Sequence, residues 1–143
     1  MKKQRVFLGG TCANTTWRDE LIPYLDKYGI DYFNPVVEDW TPECQEIEED
    51  EKNHKCNIHL YVITKEMMGT YSIAEAIHSA HLANMYGTNV DRVIFAILDE
   101  GTWKEYERRS FDAIIKLIWR IAESGKGLAK YVKNMEELSW LFI

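Results

Sequence analysis

Five short apolar runs punctuate the chain, separated by longer stretches in which apolar residues recur at helical spacing. Residues 5–8, 31–34, 57–64, 92–98 and 128–132 have the length and apolar density of strands. Residues 57–64 (Asn-Ile-His-Leu-Tyr-Val-Ile-Thr) and 92–98 are almost continuously apolar, as strands covered on both faces of a parallel sheet are. Between the first two runs, Trp17, Leu21, Tyr24, Leu25 and Tyr28 mark one helix face, with Thr16 placed to cap it and Gly29 to end it. Pro23 lies within that segment, where a proline is tolerated only in the first turn or at a kink. Residues 45–55 read as an exposed, highly charged helix, and residues 70–86 as a helix following the third strand. Residues 103–124 form a long helix with Phe111, Ile114, Ile115, Ile118 and Ile121 on its buried stripe. Asn134 is placed to cap a last helix running through Trp140. This strand–helix alternation predicts one α/β domain over 1–143, a small doubly wound parallel sheet of four to five strands with helices on both faces.

Composition narrows the function. With 143 residues, 46% hydrophobic and 28% charged, the chain is long enough for one domain with a sizeable core. A formal net charge of −6 gives no basic surface for a nucleic-acid backbone, so a small-molecule partner is expected and a polyanion is not. No stretch approaches the ~20 apolar residues of a membrane span, and Val6-Phe7-Leu8 is too short for a signal-peptide core. Cys12, Cys44 and Cys56 cannot all pair within one chain, which points to a reducing, cytoplasmic setting. Neither their spacing nor that of His54 and His59 matches a zinc pattern, so no metal and no other cofactor is expected.

The candidate chemistry collects at strand ends, where doubly wound sheets bind ligands. Gly9-Gly10-Thr11-Cys12-Ala13-Asn14 follows the first strand and lacks both the GxxxxGK[ST] and the GxGxxG patterns. It still offers glycine backbone, hydroxyls and an amide to a sugar or phosphate, or else it is an ordinary turn. Glu75 lies in Gly69-Thr70-Tyr71-Ser72-Ile73-Ala74-Glu75, just beyond the third strand. There it is placed either for chemistry or to close a Ser72-x-x-Glu75 capping box. The run Glu46, Glu48, Glu49, Asp50, Glu51 reads as a solvated helix face, with cation binding as the lesser alternative. Trp40 and Tyr71, on loops at strand ends, are the aromatics suited to stack on a flat base.

Several of these segments together resemble the nucleoside 2-deoxyribosyltransferase-like proteins. They are Val6-Phe7-Leu8-Gly9-Gly10-Thr11, Trp17-Arg18-Asp19-Glu20, Phe33-Asn34-Pro35 with Asp39-Trp40, the third strand, and Ser72-Ile73-Ala74-Glu75, in order through residues 5–98. The resemblance implies a flavodoxin- or Rossmann-like sheet. It also implies cleavage or exchange of the N-glycosidic bond of 2′-deoxynucleosides or their 5′-monophosphates, as a deoxyribosyltransferase or an N-hydrolase. In that family a glutamate after the third strand is the nucleophile, and Glu75 occupies its position. The resemblance further puts Gly9, Gly10, Thr11 and Asn14 near the sugar or phosphate, and Asn34 and Asp39-Trp40 near the base; Tyr71 and Ser72, close to Glu75 in the sequence, are the other expected substrate contacts. It implies a homo-oligomer, since a neighbouring subunit often completes the site. The family's aspartate at the end of the third strand is missing: that strand ends Val62-Ile63-Thr64-Lys65-Glu66. Asp39 is the preferred substitute by loop position, with Glu66 the other acid nearby. A nucleoside-binding module without turnover is the alternative function.

Overall fold

The computed structural model describes residues 2–12 and 14–143. Five strands, β1 (Arg5–Gly10), β2 (Asp31–Phe33), β3 (Ile58–Ile63), β4 (Arg92–Leu98) and β5 (Gly127–Val132), form one sheet in the order β2-β1-β3-β4-β5. All four pairings are parallel, with Val6 opposite Ile58 and Ile58 opposite Arg92. Every residue of β3, the central strand, is buried.

The period-2 alternation of the strands divides the core between the two faces. Val6, Leu8, Leu60, Val62 and Ile94 pack against α1 (Trp17–Lys27) and α5 (Met135–Ser139). Phe7, Tyr61, Ile63, Phe95 and Ile97 pack against α3 (Tyr71–Asn84) and α4 (Glu105–Ile121). The expected doubly wound parallel sheet is therefore present, with five strands. Among the described residues, no helix is long and apolar enough to cross a membrane.

Three local differences from the sequence expectation bear on the site. Helix α1 runs through Pro23 without ending there. Pro23 and Asp19, whose carbonyl the missing N–H would have met, are both exposed, so solvent can take that carbonyl. Helix α2 (Pro42–Asp50) begins three residues earlier than the charge run implies, with Thr41 at its N-cap and Pro42 in its first turn. It continues into a π-helical turn over Glu51–Lys55, and this turn is not solvated throughout: Glu51 is buried and Lys52 half-buried. Finally, the N-cap of α3 is Thr70, so Ser72 and Glu75 lie inside the helix and form no capping box.

Candidate functional site

The order β2-β1-β3 reverses the direction of winding at β1, and the crevice beyond the carboxyl ends of β1 and β3 is where such sheets bind ligands. A cleft of ≈ 540 Å³ lies there, within the range of small-molecule sites. Phe7, Gly9, Gly10, Thr11 and Cys12 line it from β1 and its loop, and Arg18 from α1. Pro35, Val36, Val37 and Trp40 come from the β2–α2 loop, and Glu48 from α2. Glu66 to Gly69, then Tyr71, Ser72 and Glu75, complete it from the β3–α3 loop and α3. The lining is largely apolar, with carboxylates set into it.

The two glycines let β1 approach β3. A Cβ on Gly9 would stand 2.7 Å from the Tyr61 ring, and one on Gly10 only 2.1 Å from the Val62 carbonyl oxygen. Gly10 also has φ +116°, a conformation that side chains strongly disfavour. The close approach expected toward a ligand is thus made first toward the neighbouring strand. Thr11 continues the junction. Its N–H donates to the Val62 carbonyl at 2.9 Å, and its Oγ1 accepts from the Thr64 N–H at 3.0 Å. Its carbonyl accepts from Trp17 Nε1 at 2.9 Å and from Arg18 at 2.7 Å. Arg18, buried, also donates to the Leu8 carbonyl at 2.9 Å. Its guanidinium therefore holds the loop from beneath, and burial lowers its proton affinity from the ordinary arginine value.

Glu75 lines the cleft from the second turn of α3. Lys52 Nζ donates to its Oε2 at 2.9 Å, and both side chains are 15% exposed. Among the described residues, Oε1 has no protein hydrogen bond. Lys52 reaches Glu75 because the chain around it is fixed twice. Arg5, on β1, donates to the Glu51 carboxylate at 2.9 and 3.0 Å, pinning the π turn to the sheet. His59, on β3, lies 2.6 Å through Nε2 from the Lys52 carbonyl. A carbonyl only accepts, so Nε2 carries the proton and Nδ1 is the acceptor. Ser79 Oγ, 2.8 Å from Nδ1, must then donate to it and accept from the Tyr61 hydroxyl at 2.8 Å. Burial holds this imidazole neutral, its pKa lowered to about 4.

The other expected site residues divide by position. Gly9, Gly10, Thr11, Trp40, Tyr71 and Ser72 line the cleft together with Glu75. Asn34 does not; its Oδ1 accepts from the Val36 N–H at 3.1 Å, shaping the loop that carries Val36 and Val37 into the cleft. Asn14, exposed with φ 54°, and Asp39, exposed on the β2–α2 loop, are outside the cleft lining. Cys44 Sγ lies 4.0 Å from the Asp39 carbonyl oxygen.

Sequence reasoning missed Glu48 and Lys52, both within the stretch read as a solvated face. Glu48 lines the cleft, and its carboxyl pKa is raised, first by burial, with the charge of Glu75 adding to the rise. Lys52, four residues on, carries the one ammonium that touches Glu75 among the described residues. The available signal was that spacing: an i, i+4 Glu–Lys pair places both side chains on one helix face. Among the described residues, no group of three or more His, Cys, Asp or Glu is arranged to hold a metal ion.

Residues 3–94 match the family model described as nucleoside 2-deoxyribosyltransferase like. The matched stretch contains every residue that lines the cleft and stops within β4. Neither the curated proteins nor the solved structures supply a match. On the strength of the family match, the chain belongs to the nucleoside 2-deoxyribosyltransferase-like family.

Proposed function

We propose that the protein cleaves or exchanges the N-glycosidic bond of 2′-deoxynucleosides or their 5′-monophosphates, with Glu75 as nucleophile. The observation that carries this reading is Glu75 itself: a carboxylate set into a largely apolar cleft at the switch point, with one oxygen held by Lys52 and the other open. Attack by Oε1 on the anomeric carbon forms a glycosyl–enzyme ester as the bond to the base breaks. A second base then takes the sugar, giving a transferase, or water does, giving a hydrolase. Trp40 and Tyr71 offer aromatic faces to the base, and Ser72 and the Gly9–Thr11 segment offer polar groups to the sugar. Asp39 belongs to this reading as a loop candidate for assisting the departing base. A homo-oligomer also belongs to it, because Met68 and Tyr71 stand 88% and 75% exposed at the rim, where a second subunit would cover them. Sedimentation velocity tests that element.

The direct test is base release from the four 2′-deoxynucleosides and their monophosphates, followed by chromatography with and without an acceptor base. Release is expected for the wild-type protein and loss of at least 10³-fold, on the order of losing a covalent nucleophile, for Glu75→Ala. Release that persists in Glu75→Ala at the wild-type rate rejects the nucleophile.

The second reading, a nucleoside-binding module without turnover, is favoured by one observation. The close ion pair with Lys52 diverts part of the charge that a nucleophile needs. Under that reading, deoxynucleosides stabilise the protein against heat while no base appears.

A further inference from the structure

A nucleophile alone leaves the chemistry incomplete, because the electron pair of the breaking bond ends on a ring nitrogen of the departing base and a proton must meet it. Three carboxylic acids other than Glu75 are close enough to the cleft to be considered. Asp39 stands exposed on the loop and outside the lining, whereas Glu66 and Glu48 both line it. Glu48 differs from Glu66 in its surroundings. It lines the same cleft as Glu75 on α3 and Arg18 on α1, and the charges that act on it are those of Lys52 on the following π turn, Glu75, Arg18 and Glu49 on its own helix. Both cations are committed elsewhere: Lys52 bonds Glu75 at 2.9 Å, and Arg18 spends its donors on the carbonyls of Leu8 and Thr11. Glu48 has no ion-pair partner within 4.0 Å among the described residues.

From this geometry, and resting on the reading of Glu75 as nucleophile, we infer that Glu48 is the acid that protonates the departing base and the base that activates the incoming acceptor. In the first half, a Glu75 oxygen forms a bond to the anomeric carbon. The C–N bond breaks, its electron pair passes to the ring nitrogen, and that nitrogen takes the proton of the Glu48 carboxyl. The products are the neutral base, the glycosyl ester and the Glu48 carboxylate. In the second half, Glu48 takes a proton from water or from the N–H of a second base as that nucleophile attacks the anomeric carbon. The ester bond breaks, its electron pair returns to Glu75, and Glu48 is protonated again. The two carboxyls are divided between these roles by their neighbours. Lys52 is bonded to Glu75, while at Glu48 partial burial, with the charges of Glu75 and Glu49, outweighs the opposing pull of Lys52 and Arg18 and favours the protonated form. Esterification of Glu75 removes that negative neighbour, so Glu48 becomes the weaker holder of its proton when the proton is to be given up.

The test separates base departure that needs a proton from departure that does not. In 7-methyl-2′-deoxyguanosine the base already carries a positive charge and leaves neutral, so no acid is required. Glu48→Gln keeps the size of the side chain and is expected to lower kcat/KM on 2′-deoxyadenosine by about 10²–10⁴-fold. On the 7-methyl substrate it is expected to leave the first half-reaction, read as the single-turnover burst of free base, within a few-fold of wild type. The basic limb of the pH profile for 2′-deoxyadenosine disappears in the same variant, and Glu48→Asp recovers part of the lost rate. Circular dichroism and thermal melting establish that each variant is folded. Equal losses on both substrates overturn the assignment, as does a wild-type rate on 2′-deoxyadenosine. A leaving-group-selective loss in Asp39→Asn or Glu66→Gln, with none in Glu48→Gln, also overturns it. Failure of the underlying reading looks different: the wild-type protein releases no base from either substrate, or Glu75→Ala retains the burst. The first of these results overturns the acid together with the nucleophile. The second leaves the comparison of the Glu48 variants to decide the acid by itself.

Discussion

Gly10 is where the sheet and the cleft make the same demand on one residue. Its backbone lines the cleft at φ +116°, and its missing Cβ leaves the 2.1 Å that a methyl would occupy against the Val62 carbonyl oxygen. Gly10→Ala therefore combines backbone strain with overpacking against backbone, and a loss on the order of 3 kcal/mol is expected. A lower urea midpoint with an unchanged m-value checks it. Lys52 poses a different question, because its removal strands a partner. Exposed ion pairs contribute ~0–1 kcal/mol, while breaking a buried one costs ~3–5. The Lys52–Glu75 pair, each side chain 15% exposed, lies between these limits, so Lys52→Met is expected to cost about 2 kcal/mol. Much of that cost is the unpaired Glu75 carboxylate, so adding Glu75→Gln should return stability to the single variant. A double-mutant cycle by chemical denaturation measures this coupling, and simple additivity would show that the pair contributes nothing.

At the scale of elements, the segment from α2 through the π turn to β3 explains what was legible in the sequence and what was not. Strands β3 and β4 announced themselves because continuous apolar runs have few other uses in a chain of this size. The acidic run did not, since a helix with no buried residue of its own shows no apolar stripe to orient it. Its orientation comes from contacts that the following π turn makes outside the helix: Arg5 on Glu51, Glu75 on Lys52 and His59 on the Lys52 carbonyl. The apparent Ser72–Glu75 capping box failed for a related reason. The helix start is set by Thr70, and Glu75 turns to Lys52 instead of to its own backbone. His59 makes this element sensitive to acid. Its pKa falls from an ordinary value near 6.5 to about 4 in the folded protein, so between these values the unfolded chain binds a proton that the folded chain does not. Stability contributed by neutral His59 is complete above pH 6.5 and is lost as pH falls toward 4. That gap corresponds to about 3 kcal/mol. Melting temperatures measured from pH 7 to pH 4 should fall, and His59→Gln should flatten the part of the slope due to this residue while lowering stability at pH 7.

At the scale of the whole molecule, the order β2-β1-β3-β4-β5 brings the site together from distant parts of the sequence. Reversal of winding at β1 opens the crevice, and the loop after β2 and the first turn of α3 bring Trp40 and Tyr71 to its lining. Alternation of strands and helices was enough to foresee such a crevice at strand ends. Of the residues singled out from the sequence, Gly9, Gly10, Thr11, Trp40, Tyr71, Ser72 and Glu75 do line it, from the end of β1, the β2–α2 loop and the start of α3. For Asn14, Asn34 and Asp39 sequence position was a poorer guide, because a loop residue's direction depends on its local turn. Asn34 spends its carboxamide oxygen on the Val36 N–H. A ligand filling the cleft meets residues from the β2–α2 and β3–α3 loops and from β1, α1, α2 and α3. Binding to the folded state alone then stabilises the entire domain. At a ligand concentration a hundredfold above Kd the gain is about 2.7 kcal/mol. For a domain of this size, that raises Tm by roughly 8–12 °C. On the proposed reading, Glu75→Gln holds the ligand without turning it over, which makes it the form in which to measure the shift with a 2′-deoxynucleoside. Trp40→Ala in that background removes one aromatic face, and a loss on the order of 1 kcal/mol of binding is expected, seen as a several-fold higher ligand concentration for the same rise in Tm. An unchanged ligand dependence after Trp40→Ala would place the base elsewhere than against the β2–α2 loop.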